Sequence, residues 1–204
     1  MNACTILLFV RWPEPGRVKT RLAATMGAEE ACRVYRALAQ QCFAAACSVA
    51  GARVVVCGTG AAPEAFRHWL QGAADYWEQP NGDLGARLET MFRRAFDAGA
   101  QRVAAIGSDT PGLGGVEIAA AMEALGTYDV TLVPAADGGY VLIGTRRHLP
   151  ELFEGMPWSS DALLARTLAV CAQRGLSAAQ GPPQADIDTE EDWRNFSGRN
   201  EPSE

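Results

Sequence analysis

An apolar run over residues 4–10 ends in a turn holding Pro13, Pro15 and Gly16, with Arg11, Arg17, Lys19 and Arg21 gathered around it. A continuous apolar run of this kind reads as a strand buried on both faces, the pattern of parallel sheets. Proline fixes φ and lacks an N–H, so neither a regular helix nor a regular strand continues through the turn. In open α/β sheets ligands bind beyond the carboxyl ends of the strands. A bent backbone at such an end can aim N–H groups and cationic side chains at one anion, which makes residues 9–22 a phosphate cradle; the alternative is a solvated basic turn.

Downstream, strand and helix signals alternate. Residues 28–49 are alanine-rich, with Ala31, Val34, Tyr35, Leu38 and Cys42 spaced to share one helical face. Residues 53–57 read as a second buried strand closed by Gly58, Thr59 and Gly60, and residues 63–70 as a helix with proline in its first turn. Strands are expected at 75–78, 102–106, 130–134 and 140–144, and helices at 84–98, 116–125 and 160–174. The gap 135–139 is too short for a crossover helix, so its flanking strands form a hairpin or lie apart in the sheet. This order predicts an α/β protein, a three-layer α/β/α Rossmann-like architecture with a mostly parallel mixed sheet and helices on both faces. With no internal repeat or linker, residues 1–196 read as one domain and 197–204 as a flexible polar tail.

The 204 residues, 48% of them hydrophobic, suffice for one sizeable core. A net charge of −6 argues against nucleic-acid and anionic-membrane binding, which need a basic surface, so the basic loop is a local exception. No apolar stretch approaches the roughly 20 residues that cross a bilayer. Residues 6–10 lack the basic approach and small-residue cleavage site of a signal peptide, which leads to the expectation of a cytoplasmic protein. The six cysteines include no CxxC pair and lie mostly in apolar patterns, as buried free thiols do.

Further signals fall in the loops after the expected strands. In GSDTPGL, residues 107–113, Asp109 is the leading metal candidate, since Mg²⁺ and Mn²⁺ prefer carboxylate oxygen; alternatively Ser108 or Asp109 is a turn residue bonding its own backbone. In DIDTEEDW, residues 186–193, Asp186 and Asp188 alternate along an extended stretch, and either can join Asp109 around one cation; alternatively Asp188 or Thr189 caps a helix begun by Glu190 and Glu191. In PAADGGYVLIG, Asp137 before Gly138 and Gly139 permits a close backbone approach to a ligand or a plain hairpin turn. NGDLGARL presents Gly82, Gly85 and Arg87 to a nucleobase or ribose, or merely caps a helix through Asp83. WSSD, residues 158–161, lines an acceptor pocket or supplies an ordinary N-cap from Ser159 or Ser160.

Several common motifs are missing. Lys19 and Thr20 end like a P-loop, but Val18 stands where glycine is required. Gly58 and Gly60 lack the rest of a dinucleotide fingerprint. His68 and His148 have neither metal nor triad spacing.

Together FVRWPEPGRVKTRL, GDLGARL, IGSDTPGL, PAADGGYVLIG, WSSD and DIDTEEDW resemble, in order and over nearly the whole chain, a bacterial family of nucleotide-diphospho-sugar transferases. That family has the GT-A fold and is also labelled as family 2A-like glycosyltransferases or domain of unknown function 2064. More distantly the chain is similar to molybdenum-cofactor guanylyltransferase and 2-phospho-L-lactate guanylyltransferase. The resemblance implies a metal-dependent transferase using Mg²⁺ or Mn²⁺ and a nucleotide or nucleotide-sugar donor. Arg11, Lys19 and Arg21, on the turn of Pro15 and Gly16, would face the phosphates, with Ser108, Gly82, Gly85 and Arg87 around the nucleotide. Asp109 would bind the metal and Asp188 would be a second metal or substrate ligand. Lys19 and Asp109 would carry catalysis, with Asp137 or Asp161 as general base for a hydroxyl acceptor. The family pattern has lysine at Arg11 and threonine at Ser160; charge and hydroxyl survive both changes, and Arg11 offers phosphate a forked grip that lysine lacks. Glycosyl transfer to a small acceptor leads, followed by nucleotidyl transfer with pyrophosphate release and then noncatalytic nucleotide binding. Acceptor identity and oligomeric state, a homodimer among the options, are not legible.

Overall fold

The computed structural model describes residues 4–187 and 189–197. Among these residues seven strands form one sheet in the order β3-β2-β1-β4-β6-β5-β7. They are β1 (Cys4–Arg11), β2 (Ala52–Thr59), β3 (Asp75–Glu78), β4 (Arg102–Ile106), β5 (Val130–Pro134), β6 (Tyr140–Thr145) and β7 (Ala178–Gln180). The helices are α1 (Thr20–Met26), α2 (Ala28–Cys47), α3 (Pro63–Trp69), α4 (Leu84–Asp97), α5 (Gly115–Ala124), α6 (Leu163–Gln173) and α7 (Glu190–Ser197). β1 pairs in parallel with both β2 and β4, β2 with β3, and β5 with β7. β6 runs antiparallel to both its neighbours, β4 and β5, so the short gap 135–139 is a hairpin. The fold is a three-layer α/β/α arrangement around a mostly parallel mixed sheet, as the sequence pattern predicts.

Alternation along the central strands builds the layers, because successive side chains leave opposite faces of a sheet. Ile6, Leu8 and Val10 of β1 pack with Val54 and Val56 under Cys42, Phe43, Phe66 and Ile118 from α2, α3 and α5. Leu7 packs on the other face with Val55, Val103 and Ile143 under Phe92, Phe153 and Cys171 from α4, the 150s segment and α6. Phe66 sits so close to β2 that a Cβ on Gly58 would lie 2.4 Å from its ring, which explains a glycine inside that strand.

Several local outcomes differ from the sequence pattern. Residues 20–22 belong to α1 rather than to the loop, and the helix expected from Ser160 begins at Leu163 after a turn in which Ser159 has φ 63°. β7 and the 3-10 turn at Pro150–Leu152 carry no periodicity of their own. Thr189 caps α7, its hydroxyl accepting the Asp192 N–H at 3.2 Å while its own N–H donates to the Asp192 carboxylate at 2.8 Å. Asp83 caps α4 by accepting the Ala86 N–H at 2.8 Å. Cys32, Cys42, Cys57 and Cys171 are buried free thiols, Cys4 is half-buried and Cys47 exposed. Burial pushes the Cys42 thiol up to about 12, so it stays protonated at neutral pH. No described helix is long and apolar enough to cross a membrane.

The topology fixes where a ligand can meet the sheet. From β1 the chain steps outward through β2 to β3, then returns to place β4 on the other side of β1. The β1/β4 gap is therefore the switch point where the loops after adjacent parallel strands diverge and leave a crevice.

Candidate functional site

Two loops supply the crevice. After β1 the chain turns through Pro13 and Pro15, with the Arg17 N–H donating to the Glu14 carbonyl at 3.0 Å and Gly16 at φ 77°. Val18 is buried in the core and anchors the end of the turn. Lys19 then adopts the left-handed conformation, φ 46° and ψ 51°, and its carbonyl accepts the Ala23 N–H to open α1. Left-handed backbone is uncommon for a long side chain, and such positions gather at ligand sites where surrounding structure holds them. Here the hold is visible: the Lys19 ammonium donates to Asp109 Oδ2 at 2.9 Å, with the lysine side chain only 5% exposed. The ion pair spans the switch point from the loop after β1 to the loop after β4.

Tyr35 of α2 ties the same two loops together beneath that pair. Its hydroxyl accepts the Arg11 N–H at 2.9 Å, lies 3.2 Å from the Arg11 carbonyl and 3.0 Å from the Ser108 hydroxyl. Burial raises the Tyr35 pKa against the opposing influence of these bonds, so the ring stays neutral. The Arg11 guanidinium reaches back to the Arg17 carbonyl at 3.2 Å, and the Arg17 guanidinium pairs with Glu14 at 3.2 Å.

The chain's C-terminal part reaches the site along the sheet edge. Gln184 bridges to Ala135 beside β5, its N–H donating to the Pro134 carbonyl at 2.9 Å. This brings Asp186 to the Thr110 hydroxyl, which donates to Asp186 Oδ1, and the Ile187 N–H to the Asp109 carbonyl at 3.4 Å. Asp188 lies outside the described residues.

Two voids share Phe9, Leu84, Gly107 and Asp109 and so form one cleft. The half on the β2 side, about 310 Å³, is lined by Arg11, Arg17, Lys19, Tyr35, Ser108 and Gln79 among others. The half on the β6 side, about 160 Å³, is lined by Leu88, Tyr140, Ile143, Trp158, Leu163 and Asp186 among others.

The sequence candidates thus divide. Arg11, Lys19, Ser108 and Asp109 meet in the basic half. Pro15, Gly16 and Arg21 lie on the same loop and helix without lining either void. The Arg87 side chain bonds the Gly82 carbonyl at 2.9 Å and so closes the turn before α4. Gly85 faces inward: a Cβ there would lie 2.3 Å from the Phe153 carbonyl and 2.5 Å from Trp158 Nε1. Asp137 accepts the Gly139 N–H at 3.0 Å within the hairpin turn, and Asp161 accepts from the Ser160 hydroxyl at 3.4 Å. Neither carboxylate lines the cleft.

Arg17, one of the cations of the expected cradle, lines the basic half as well, whereas sequence reasoning missed Tyr35, Leu84 and Tyr140 as site residues. A tyrosine on the buried face of α2 was a usable signal, because a buried phenol needs a partner.

A model of the family described as an uncharacterized protein conserved in bacteria (DUF2064) matches residues 39–160. The chain belongs to that family. It is also 33% identical, with a TM-score of 0.93, to a solved Desulfovibrio desulfuricans G20 protein provisionally named a nucleotide-diphospho-sugar transferase; the match covers 100% of this chain and 90% of that one. Two other solved structures share the fold alone. One is CMP:2-keto-3-deoxy-manno-octonic acid synthetase complexed with CTP, 11% identical at TM-score 0.62, covering 97% of this chain and 99% of that one. The other is Rv0371c of Mycobacterium tuberculosis H37Rv in complex with manganese, 18% identical at TM-score 0.53, covering 95% of this chain and 97% of that one. No curated protein matches the chain.

Proposed function

We propose that the protein is a metal-dependent transferase that binds the phosphate end of a nucleotide donor in the basic half of the cleft, and that it transfers a glycosyl group from a nucleotide-diphospho-sugar to a small acceptor. The observation that carries this reading is the Lys19–Asp109 pair across the β1/β4 switch point, with Arg11 and Arg17 lining the same void. Its 33% identity to a protein with a nucleotide-diphospho-sugar transferase name supports the donor class.

The donor set suits a hard divalent cation. Among the described residues no group of three or more His, Cys, Asp and Glu side chains forms a ready cage. Mg²⁺ commonly needs no more than one or two carboxylates, because substrate phosphates and water complete its shell. Asp109 would hold the ion, with Asp186 lining the adjoining void and Asp188 a further candidate. When bound, the cation would neutralise phosphate charge as it develops.

The chain's own cations serve the same end. Glycosyl transfer breaks the bond between the anomeric carbon and the β-phosphate oxygen, and the electron pair leaves with the nucleoside diphosphate. Lys19 places an ammonium where that charge grows, in a part-buried setting where it is screened less than in water. Tyr35 and Ser108 keep the loops after β1 and β4 in register, so the cradle needs little reorganisation.

Nucleotidyl transfer is the second reading, favoured by the shared fold of a synthetase whose complex holds CTP. Product analysis with Mg²⁺ or Mn²⁺ and a panel of nucleoside triphosphates, sugar nucleotides and acceptors tests both. Nucleoside diphosphate release with a glycosylated acceptor is expected; pyrophosphate release with a nucleotidylated acceptor replaces the first reading by the second. Tight metal-dependent binding without product under every combination would leave a noncatalytic nucleotide-binding module.

A further inference from the structure

The carboxylate best placed to hold a divalent ion is already engaged by a cation of the chain. Asp109 Oδ2 accepts the Lys19 ammonium at 2.9 Å, and the lysine side chain is only 5% exposed. Asp109 Oδ1 turns back toward the main chain, where a Cβ on Gly107 would lie 3.2 Å away. The neighbouring carboxylate is engaged as well, since Asp186 Oδ1 accepts the Thr110 hydroxyl. A divalent ion held by either oxygen of Asp109 would stand close to a buried ammonium, where repulsion between like charges is weakly screened.

The surroundings of Asp109 sharpen that conflict. Among the described residues the charged side chains lining the basic half are Arg11, Arg17, Lys19 and Asp109. A free dication entering there meets three cations and a carboxylate whose charge one of them already answers. A nucleoside diphosphate carrying the same ion is an anion overall, and its phosphate oxygens offer the ammonium another acceptor. Lys19 also keeps the left-handed conformation, φ 46° and ψ 51°, at the junction between the loop after β1 and α1. Such a backbone persists where surrounding structure holds it, and the bond to Asp109 is one such hold.

We infer that Lys19 is an internal counter-ion for Asp109: it shields the carboxylate from free divalent ions and yields it when nucleotide phosphate gives the ammonium a new partner. The site therefore takes a metal–nucleoside diphosphate complex in preference to the bare metal. The inference rests on the assignment of Asp109 to the ion and adds how that ion is admitted.

The test is titration of the full chain with Mn²⁺ alone, read by loss of the free-ion electron paramagnetic resonance signal, beside calorimetry with UDP and saturating Mn²⁺. Circular dichroism checks that each variant is folded. Lys19→Met is expected to bind Mn²⁺ alone about tenfold more tightly than wild type, yet to bind UDP with Mn²⁺ more weakly. A purely structural role for Lys19 would lower both affinities. Lys19→Arg, which restores the charge, should return bare-ion affinity to within about threefold of wild type, and Arg17→Met, whose lost cation pairs with Glu14, should change it by less than about twofold. The proposal is overturned by bare-ion affinity that is unchanged or lower in Lys19→Met, by Lys19→Arg binding the bare ion as tightly as Lys19→Met, or by an equal gain in Arg17→Met. Failure of the Asp109 assignment looks different and overturns both: wild type would bind UDP equally well with and without Mn²⁺, and Asp109→Asn would change neither titration.

Discussion

On the β2 side of Gly107 the cleft is lined by Arg11, Arg17, Lys19 and Ser108; on the β6 side it is lined by Tyr140, Ile143, Trp158 and Leu163. The basic half is assembled by hydrogen bonds and an ion pair: Tyr35 joins Arg11 to Ser108, and Lys19 reaches Asp109. The aromatic half is assembled by packing, with Gly85 giving way to Trp158 and Tyr140 set edge-on against it. Polar contacts of fixed length suit a charged group that must be held in one place. Apolar walls tolerate variation in what they enclose, since dispersion and burial are not directional.

The largest effect separating the halves is expected at Lys19→Met, which strips the buried cation and leaves Asp109 without that partner. Nucleotide affinity should fall about a hundredfold, the scale for truncating one member of a hydrogen-bonded charge pair, while the Trp158 indole N–H resonance stays at its wild-type position in the NMR spectrum. Calorimetry with UDP and Mn²⁺ measures the first and the indole resonance the second; loss of both would mean the halves are not separable.

Gly85→Ala attacks the other half. The new Cβ would meet the Phe153 carbonyl at 2.3 Å, and backbone cannot swing aside as a side-chain tip can. Overpacking should cost about 1–3 kcal/mol in urea unfolding and disturb Trp158, with UDP affinity changed by less than about twofold.

Tyr35→Phe is expected to cost about 1–2 kcal/mol, since it leaves the Arg11 N–H and the Ser108 hydroxyl without the phenol. The pH dependence carries a sign. The folded pKa of Tyr35 lies above its unfolded value near 10 because burial disfavours the phenolate. The stability it contributes is therefore full below that unfolded value and is lost as pH rises through the folded pKa. Denaturation midpoints of wild type and Tyr35→Phe should differ at pH 7–9 and converge in stronger alkali; a constant gap would remove the burial account.

The smallest effect is expected at Asp137→Asn. Its Oδ1 serves the hairpin turn through the Gly139 N–H, and the amide oxygen can accept the same bond. Stability should change by less than about 0.5 kcal/mol. Retained turnover would place the general base elsewhere, whereas a loss of turnover at unchanged stability would assign it to Asp137.

Much of the fold was legible because apolar runs end in glycine and proline. The strands at 75–78, 102–106 and 130–134 fall where those punctuation marks put them. α1 was hidden because it begins immediately after a left-handed lysine, a backbone choice that local composition does not announce. β7, Ala178–Gln180, is an edge strand defined by its pairing to β5 rather than by any pattern of its own. In the site, Lys19 and Asp109 stand out as charges in loops after strands. Tyr35 does not, because its hydroxyl partner Ser108 is 73 residues away along the chain. The aromatic half is harder still: α4, β6 and the 158–161 turn meet there only after folding.

The central claim is that Asp109 and the cations around it hold a divalent ion together with nucleotide phosphate. Its most direct test is calorimetric titration of UDP into wild type and Asp109→Asn, each with and without Mn²⁺, with sugar-free nucleoside diphosphates of other bases run alongside. The account predicts binding that depends on Mn²⁺ in the wild type and falls at least about tenfold in Asp109→Asn, with the variant still folded. Equal affinity in the two proteins, or wild-type affinity indifferent to Mn²⁺, would contradict it.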